Sequence, residues 1–289
     1  ILRSYHALDL TPKDKYERLL HFFEAFTEFC AAIHLSATRV NAYYWEMQRE
    51  QITKVLDHQH LSLHKASFGS WRVITELMAG RLRSMLHNKE ERIIVCDLYT
   101  TADAAPLKML ASAELAILLQ RINGFRNRWK GHGGAITEAE ACERFKFLEA
   151  DLAKFREIVG NKFLQYQLIE PRESEILDGP VFRCRIRRVM GSNPQLEHDT
   201  VDLTMPAKTG CLYLHNPGHV KALELLPLVQ VRSTPQPASY FYNRLEKTEP
   251  QLVSYHFAAQ SEISSSNATL LKLLKEFVAS DKDAKETEE

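Results

Sequence analysis

Thr11-Pro12-Lys13-Asp14-Lys15-Tyr16-Glu17-Arg18-Leu19-Leu20-His21-Phe22-Phe23-Glu24-Ala25-Phe26-Thr27-Glu28-Phe29-Cys30 is the stretch on which the fold turns. Thr11 is a good helix N-cap because its hydroxyl can accept one of the first unpaired backbone N–H groups. Pro12 suits the first helical position, where its missing N–H costs nothing, and Asp14 sets a negative charge against the positive end of the helix dipole. From Leu19, apolar side chains return every three or four residues through Phe22, Phe23, Phe26, Phe29, Cys30 and Ile33. That period lines them up in one aromatic stripe with charge on the opposite side, and such a stripe needs a partner surface. The core of a helical bundle is therefore expected.

Working outward, further helices are expected over about 38–56, 68–87 and 111–125, the last with Leu115, Ile117, Leu118, Leu119 and Ile122 as its apolar content. Another opens after Thr137, with Glu140 placed as its capping-box partner, and is expected to reach about Gln167. Past Glu170-Pro171 the pattern changes to alternation, in 181–187, 200–205 and 210–214, with further strand candidates at 225–232, 240–246 and 251–257. A short amphipathic helix is expected at 269–278, and the charged tail 281–289 reads as disordered. The fold class expected is α+β: a helical bundle over 1–172, a small antiparallel β-rich domain over 173–260, and a C-terminal helix with its tail over 261–289.

Composition narrows the function classes. The 289 residues carry 37 Lys plus Arg against 37 Asp plus Glu, so no global field draws the protein to a polyanion, and any such ligand needs a local cluster. No run approaches the roughly eighteen uninterrupted apolar residues of a membrane span, because Glu24, Thr27 and Glu28 interrupt even the most apolar helix. The five cysteines are odd in number, scattered and never in a CxxC pair, which argues against a disulfide framework and a zinc ribbon and for a reducing cytoplasm. The chain opens on Ile1 with no charged and apolar leader, so we expect a piece of a longer protein or a processed product, with an N-terminal domain or a regulatory partner among its associates. The sequence lacks a Walker-type phosphate loop, a GxGxxG fingerprint and a GxSxG elbow, and no cofactor is expected.

The segment that carries chemistry is Arg126-Asn127-Arg128-Trp129-Lys130-Gly131-His132, between the helix expected to end at Phe125 and the capped helix after Thr137. An arginine supplies a permanent planar charge that can hold a phosphate by two hydrogen bonds, and a histidine moves a proton near neutral pH. The two together suffice for cleavage of RNA without a metal, in which the ribose 2′-hydroxyl is deprotonated and attacks its own phosphate. Spacing alone does not single this pair out, since Arg81 and His87 share it. Arg81, however, is followed by the apolar Leu82 inside a helical pattern without the glycines that surround His132.

Arg, a polar residue, a short spacer and His, set between helices, resembles the signature of the HEPN family (higher eukaryotes and prokaryotes nucleotide-binding domains), over about residues 11–170. The resemblance implies a helical bundle acting as a metal-independent endoribonuclease, toxin-like or antiviral, in which a homodimer brings two motifs together into one composite site. It implies that Arg126 binds the scissile phosphate, His132 is the general acid or base, and Asn127 orients the phosphate or its neighbours. Arg128, Trp129 and Lys130 offer positive charge and a stacking surface for RNA, although Trp129 equally suits a role as an anchor to the core. A non-catalytic dimerisation or docking module is the alternative from a different class.

Two other constellations stand out. His58, His60 and His64 with Asp57 form an HxHx3H cluster, read as a solvated helix end, and no metal site is expected. Arg183, Arg185 and Arg187 alternate along a strand and so share one face, where they can track an RNA backbone or pair with acids such as Glu173, Glu175 and Asp178.

Overall fold

The structure is a computed structural model that describes residues 2–5, 10–101, 103–131, 136–177, 179–189, 197–232, 238–255 and 262–283. Its helices are α1 (Leu2–Tyr5), α2 (Pro12–Arg39), α3 (Ala42–His58), α4 (Phe68–His87), α5 (Lys89–Leu98), α6 (Ala104–Leu110), α7 (Ala113–Gly131), α8 (Glu138–Val159) and α9 (Ala268–Asp283). Its strands are β1 (Gln167–Ile176), β2 (Phe182–Arg188), β3 (Glu197–Leu203), β4 (Tyr213–His215), β5 (Ala222–Glu224), β6 (Val229–Arg232), β7 (Ala238–Glu246), β8 (Glu249–Val253) and β9 (Glu262–Ser264). The class is α+β, as expected, with a helical N-terminal region, two antiparallel sheets and a C-terminal helix.

Helix α2 starts as its cap residues require. The Asp14 N–H donates to Thr11 Oγ1 and the Thr11 N–H donates to the Asp14 carboxylate, each at 3.2 Å. The helix packs against α4 and α8. Phe22, Phe23 and Phe26 surround the Phe155 ring of α8 edge-on, with centroids 5.2, 5.7 and 4.7 Å away. Such contacts add about 0.5–1.5 kcal/mol each beyond the area they bury. The opposite side of α2 is also buried, through Leu20, Glu24, Glu28 and Leu35, so α2 is the central helix and not a surface one.

Several boundaries differ from the sequence reading. Helix α7 does not stop at Phe125 but runs on to Gly131, which makes Arg126 to Lys130 helical. Nothing in that segment breaks a helix, and Trp129 stacks flat on Phe125 one turn earlier, ring centroids 5.2 Å apart. Helix α8 stops at Val159 well short of Gln167 because Gly160 takes a φ of +47°. Two short helices, α5 and α6, escaped the periodicity, although each begins on an Asn or Asp cap: Asn88 Oδ1 accepts from Glu90 N, and Asp103 Oδ1 accepts from Ala105 N.

Strand β1, which the sequence reading did not expect, contains Pro171, the point after which the pattern turns from helical to alternating. The strand tolerates it through a bulge between Pro171 and Glu173, where the ladder to β2 slips by a residue, since proline has no N–H to give. The β-rich region is two sheets instead of one, with orders β3-β2-β1-β4-β5 and β6-β7-β8-β9. In the first, Thr204 N and Oγ1 both donate to the Val220 carbonyl, so the end of β3 is tied to the segment that leads into β5 and the sheet curls on itself. Its interior holds Ile169, Cys184, Ile186, Leu203, Tyr213 and Ala222.

The second sheet shares the helical core. Tyr240, Tyr242 and Leu252 are buried in it, Tyr242 OH donates to the Leu63 carbonyl at 2.7 Å, and Leu245 N donates to the His64 carbonyl at 2.7 Å. The expected boundary at 172/173 falls inside β1, helix gives way to strand earlier, between Val159 and Gln167, and the apolar core continues beyond it. Helix α9 docks on α3, and its Glu276 accepts from Arg39 at the end of α2 at 2.9 Å and from Trp45 Nε1 of α3 at 3.0 Å. It is longer than the sequence suggested and takes in residues 281–283; the rest of the tail, 284–289, lies outside the described residues. No helix among the described residues is long and apolar enough to cross a membrane.

Candidate functional site

The last two turns of α7 lie along α2, and the two residues that face it are Arg126 and Trp129, three apart. Arg126 Nη2 donates to Glu24 Oε1 at 3.1 Å, with 18% of the arginine side chain and 10% of the glutamate side chain exposed. One turn along α2, Glu28 is completely buried. Burial and the adjacent Glu24 charge push its pKa well above the ordinary carboxylate range, with the Tyr242 backbone N–H opposing them. Glu28 is thus pushed towards its neutral form, while Glu24 lies against the Arg126 guanidinium. Tyr255 belongs to the same cluster: burial and both glutamates raise its pKa, Arg126 lowers it, and its ring lies 5.3 Å from that of His21.

Asn127 and Arg128 are exposed, with the Arg128 guanidinium 5.0 Å from the centroid of the Phe125 ring. Trp129 is half-buried. It meets Tyr16 edge-on at 5.8 Å and lies beneath the Arg144 guanidinium at 5.2 Å, which anchors it, and it also lines a cleft of about 530 Å³ between α7 and α8 with Phe125, Arg128, Arg144 and Phe147. Phe147 is 57% exposed on the rim of that cleft. The Lys130 side chain and the whole of His132 lie outside the described residues.

In the control pair the arginine is engaged with an acid just as Arg126 is with Glu24. Arg81 bonds Glu91 at 2.9 Å, and His87 Nδ1 is hydrogen-bonded to the Arg83 carbonyl at 2.7 Å, so both are spent on local structure.

In the first sheet Arg183, Arg185 and Arg187 do share a face, and each has an acid. Arg183 bonds Asp202 at 2.9 Å, Arg185 bonds Glu173 at 3.0 Å, and Arg187 Nε donates to Glu170 at 2.8 Å. The first two pairs are exposed and worth little, so their arginines can be drawn to another anion, whereas Arg187 and Glu170 are buried together. His58, His60 and His64 are exposed, and among the described residues no group of three His, Cys, Asp or Glu side chains is placed to hold a metal.

Sequence reading missed Glu24, Glu28, Arg144, Phe147 and Tyr255. The signal for the first two was slight: they sit four apart, and so on one face, and interrupt the most apolar helix of the chain. No protein-family model matches the chain, and neither does any curated protein or solved structure.

Proposed function

We propose that the protein is a metal-independent endoribonuclease of HEPN type, cytoplasmic and active as a homodimer, with a toxin-like or antiviral role by resemblance. The observation that carries this reading is the arrangement at the end of α7: a guanidinium held in place by the buried Glu24, an exposed Asn127 beside it, and a histidine six residues further in sequence. An arginine has five N–H donors, so a pairing through Nη2 orients the fork while leaving donors for a phosphate. In this reading Arg126 holds the scissile phosphate, Asn127 orients it, and His132 moves the proton between the 2′-hydroxyl and the leaving 5′-oxygen. Arg128, Trp129 and Lys130 take the adjoining nucleotide, with the aromatic cleft between α7 and α8 as its stacking surface. Arg183 and Arg185 are the cations of the sheet that can follow the RNA backbone, while Arg187 braces the strand through Glu170.

A second reading, a docking or dimerisation module without catalysis, is favoured by one observation: the internal pairing of Arg126 with Glu24 explains that arginine structurally. The two readings part in solution. Wild-type protein is expected to run as a dimer in size-exclusion chromatography with light scattering and to cleave total RNA equally well with EDTA or with magnesium. Intact RNA in both conditions supports the module, and a strictly monomeric protein contradicts the composite catalytic site.

A further inference from the structure

The apolar interior of the first sheet changes character at one end. Gln167 of β1 stands directly opposite His215 of β4, and Arg188 of β2 stands opposite Ile169, two residues on from Gln167. Side chains two apart on a strand and partners across a ladder share a face, so these three polar residues continue the surface that elsewhere carries Ile169, Ile186 and Tyr213. Together with Thr200 and His219 they line a cleft of about 500 Å³, a size typical of small-molecule sites.

Each of the three has a polar atom shielded from water and without a hydrogen-bond partner: His215 Nδ1, Gln167 Oε1 and Arg188 Nε. His215 is 3% exposed, and its Nε2 lies 3.0 Å from the His219 carbonyl. A carbonyl can only accept, so Nε2 carries the proton and Nδ1 is left as a bare lone pair. Burial lowers the His215 pKa and so keeps that lone pair unprotonated. The formal charges around the cleft cancel, since Arg188 is paired with Asp199 and Arg183 with Asp202. An orphaned buried polar atom costs about 1–3 kcal/mol, so three of them, on residues of three adjacent strands that line one cleft, are a cost to the fold that a ligand reaching them would relieve.

We propose that this cleft binds a neutral nucleobase by its hydrogen-bonding edge, with two N–H groups donating to His215 Nδ1 and Gln167 Oε1 and one oxygen accepting from Arg188 Nε. Among the common bases only guanine presents two adjacent N–H donors beside a carbonyl oxygen. The site is separate from the Arg126 segment and does not depend on the ribonuclease reading.

The test is calorimetric titration of the whole protein with guanosine, inosine, adenosine, uridine and, as a carboxamide that is not a base, nicotinamide. Guanosine is expected to bind saturably, inosine about fivefold more weakly for the loss of one hydrogen bond, and the other three not measurably. His215→Phe and Gln167→Met are each expected to abolish guanosine binding; Gln167→Met removes an orphaned acceptor and keeps a Tm equal to or above that of wild type, whereas His215→Phe also loses the donor to the His219 carbonyl and has a slightly lower Tm. In the wild-type protein, guanosine is expected to shift the His215 Nδ1 resonance in imidazole ¹⁵N spectra, a measurement that stands even if a variant fails to fold. Absence of guanosine binding, equal binding of nicotinamide, unchanged binding in both variants, or a stationary Nδ1 resonance would each overturn the proposal.

Discussion

His132→Ala is expected to lower RNA cleavage by about 10²–10⁴-fold, the usual contribution of a positioned general acid or base, with the circular dichroism spectrum and oligomeric state of wild type retained. This substitution is a cleaner probe than Arg126→Ala. Removing the guanidinium also strands Glu24, so a loss of activity in that variant mixes chemistry with damage to the core. Arg126→Lys separates the two: it keeps a cation for Glu24 but loses the planar fork that grips a phosphate by two bonds. Activity is therefore expected to fall in Arg126→Lys by much more than stability does. Full activity in His132→Ala would sink the ribonuclease reading whatever the other variants do.

The second large effect falls on stability. Glu24→Ala leaves the Arg126 guanidinium mostly buried without its counter-charge, and the expected cost is about 2–4 kcal/mol, below the full buried-pair value because the arginine keeps some contact with water. Glu28, one turn away, is expected to behave oppositely. The unfolded chain releases the Glu28 proton near the ordinary carboxyl value of 4.5, while the folded chain holds it to much higher pH. Across that window the unfolded state binds fewer protons, so this residue's contribution is fully present below about pH 4.5 and is lost as pH rises through the folded pKa. Glu28→Gln, which mimics the protonated acid, is expected to raise Tm at pH 7 and to flatten the decline of stability towards alkaline pH. Thermal melts of wild type, Glu24→Ala and Glu28→Gln between pH 4 and 9 check both statements. A large drop in Tm for Glu28→Gln at pH 7 would show that Glu28 is ionised in the folded protein.

What could be read from the sequence was local. The Thr11 cap, the Thr137 cap, the aromatic stripe of α2 and the alternation of β2 all depend on residues within one or two turns or along one strand, and the structure has them where the pattern put them. Misplaced features depended on partners elsewhere or on a residue whose usual meaning was overridden. The glycines after Lys130 drew the predicted end of α7 back to Phe125, although the Phe125–Trp129 stack carries the helix on to Gly131. Pro171 ordinarily ends a strand, and here a bulge absorbs it. Glu24 and Glu28 were legible only as interruptions of an apolar run, because Arg126 and Tyr255, which give them meaning, lie far along the chain. The strand arginines show the same division. Glu173 was foreseen among their partners, whereas Asp202 and Glu170 follow from a register that sequence does not display.

The most direct test of the proposed chemistry is made on a short RNA whose cleavage position has been mapped, compared in EDTA with the same oligonucleotide carrying a single 2′-deoxy residue on the 5′ side of that bond. Attack by the ribose 2′-oxygen on its own phosphorus, with loss of the 5′-oxygen of the next nucleotide, leaves a 2′,3′-cyclic phosphate and a free 5′-hydroxyl. The expected result is that mass spectrometry finds those ends on the all-ribose RNA and no cleavage at the 2′-deoxy position. Cleavage at that position, or 3′-hydroxyl ends on the ribose substrate, would contradict it.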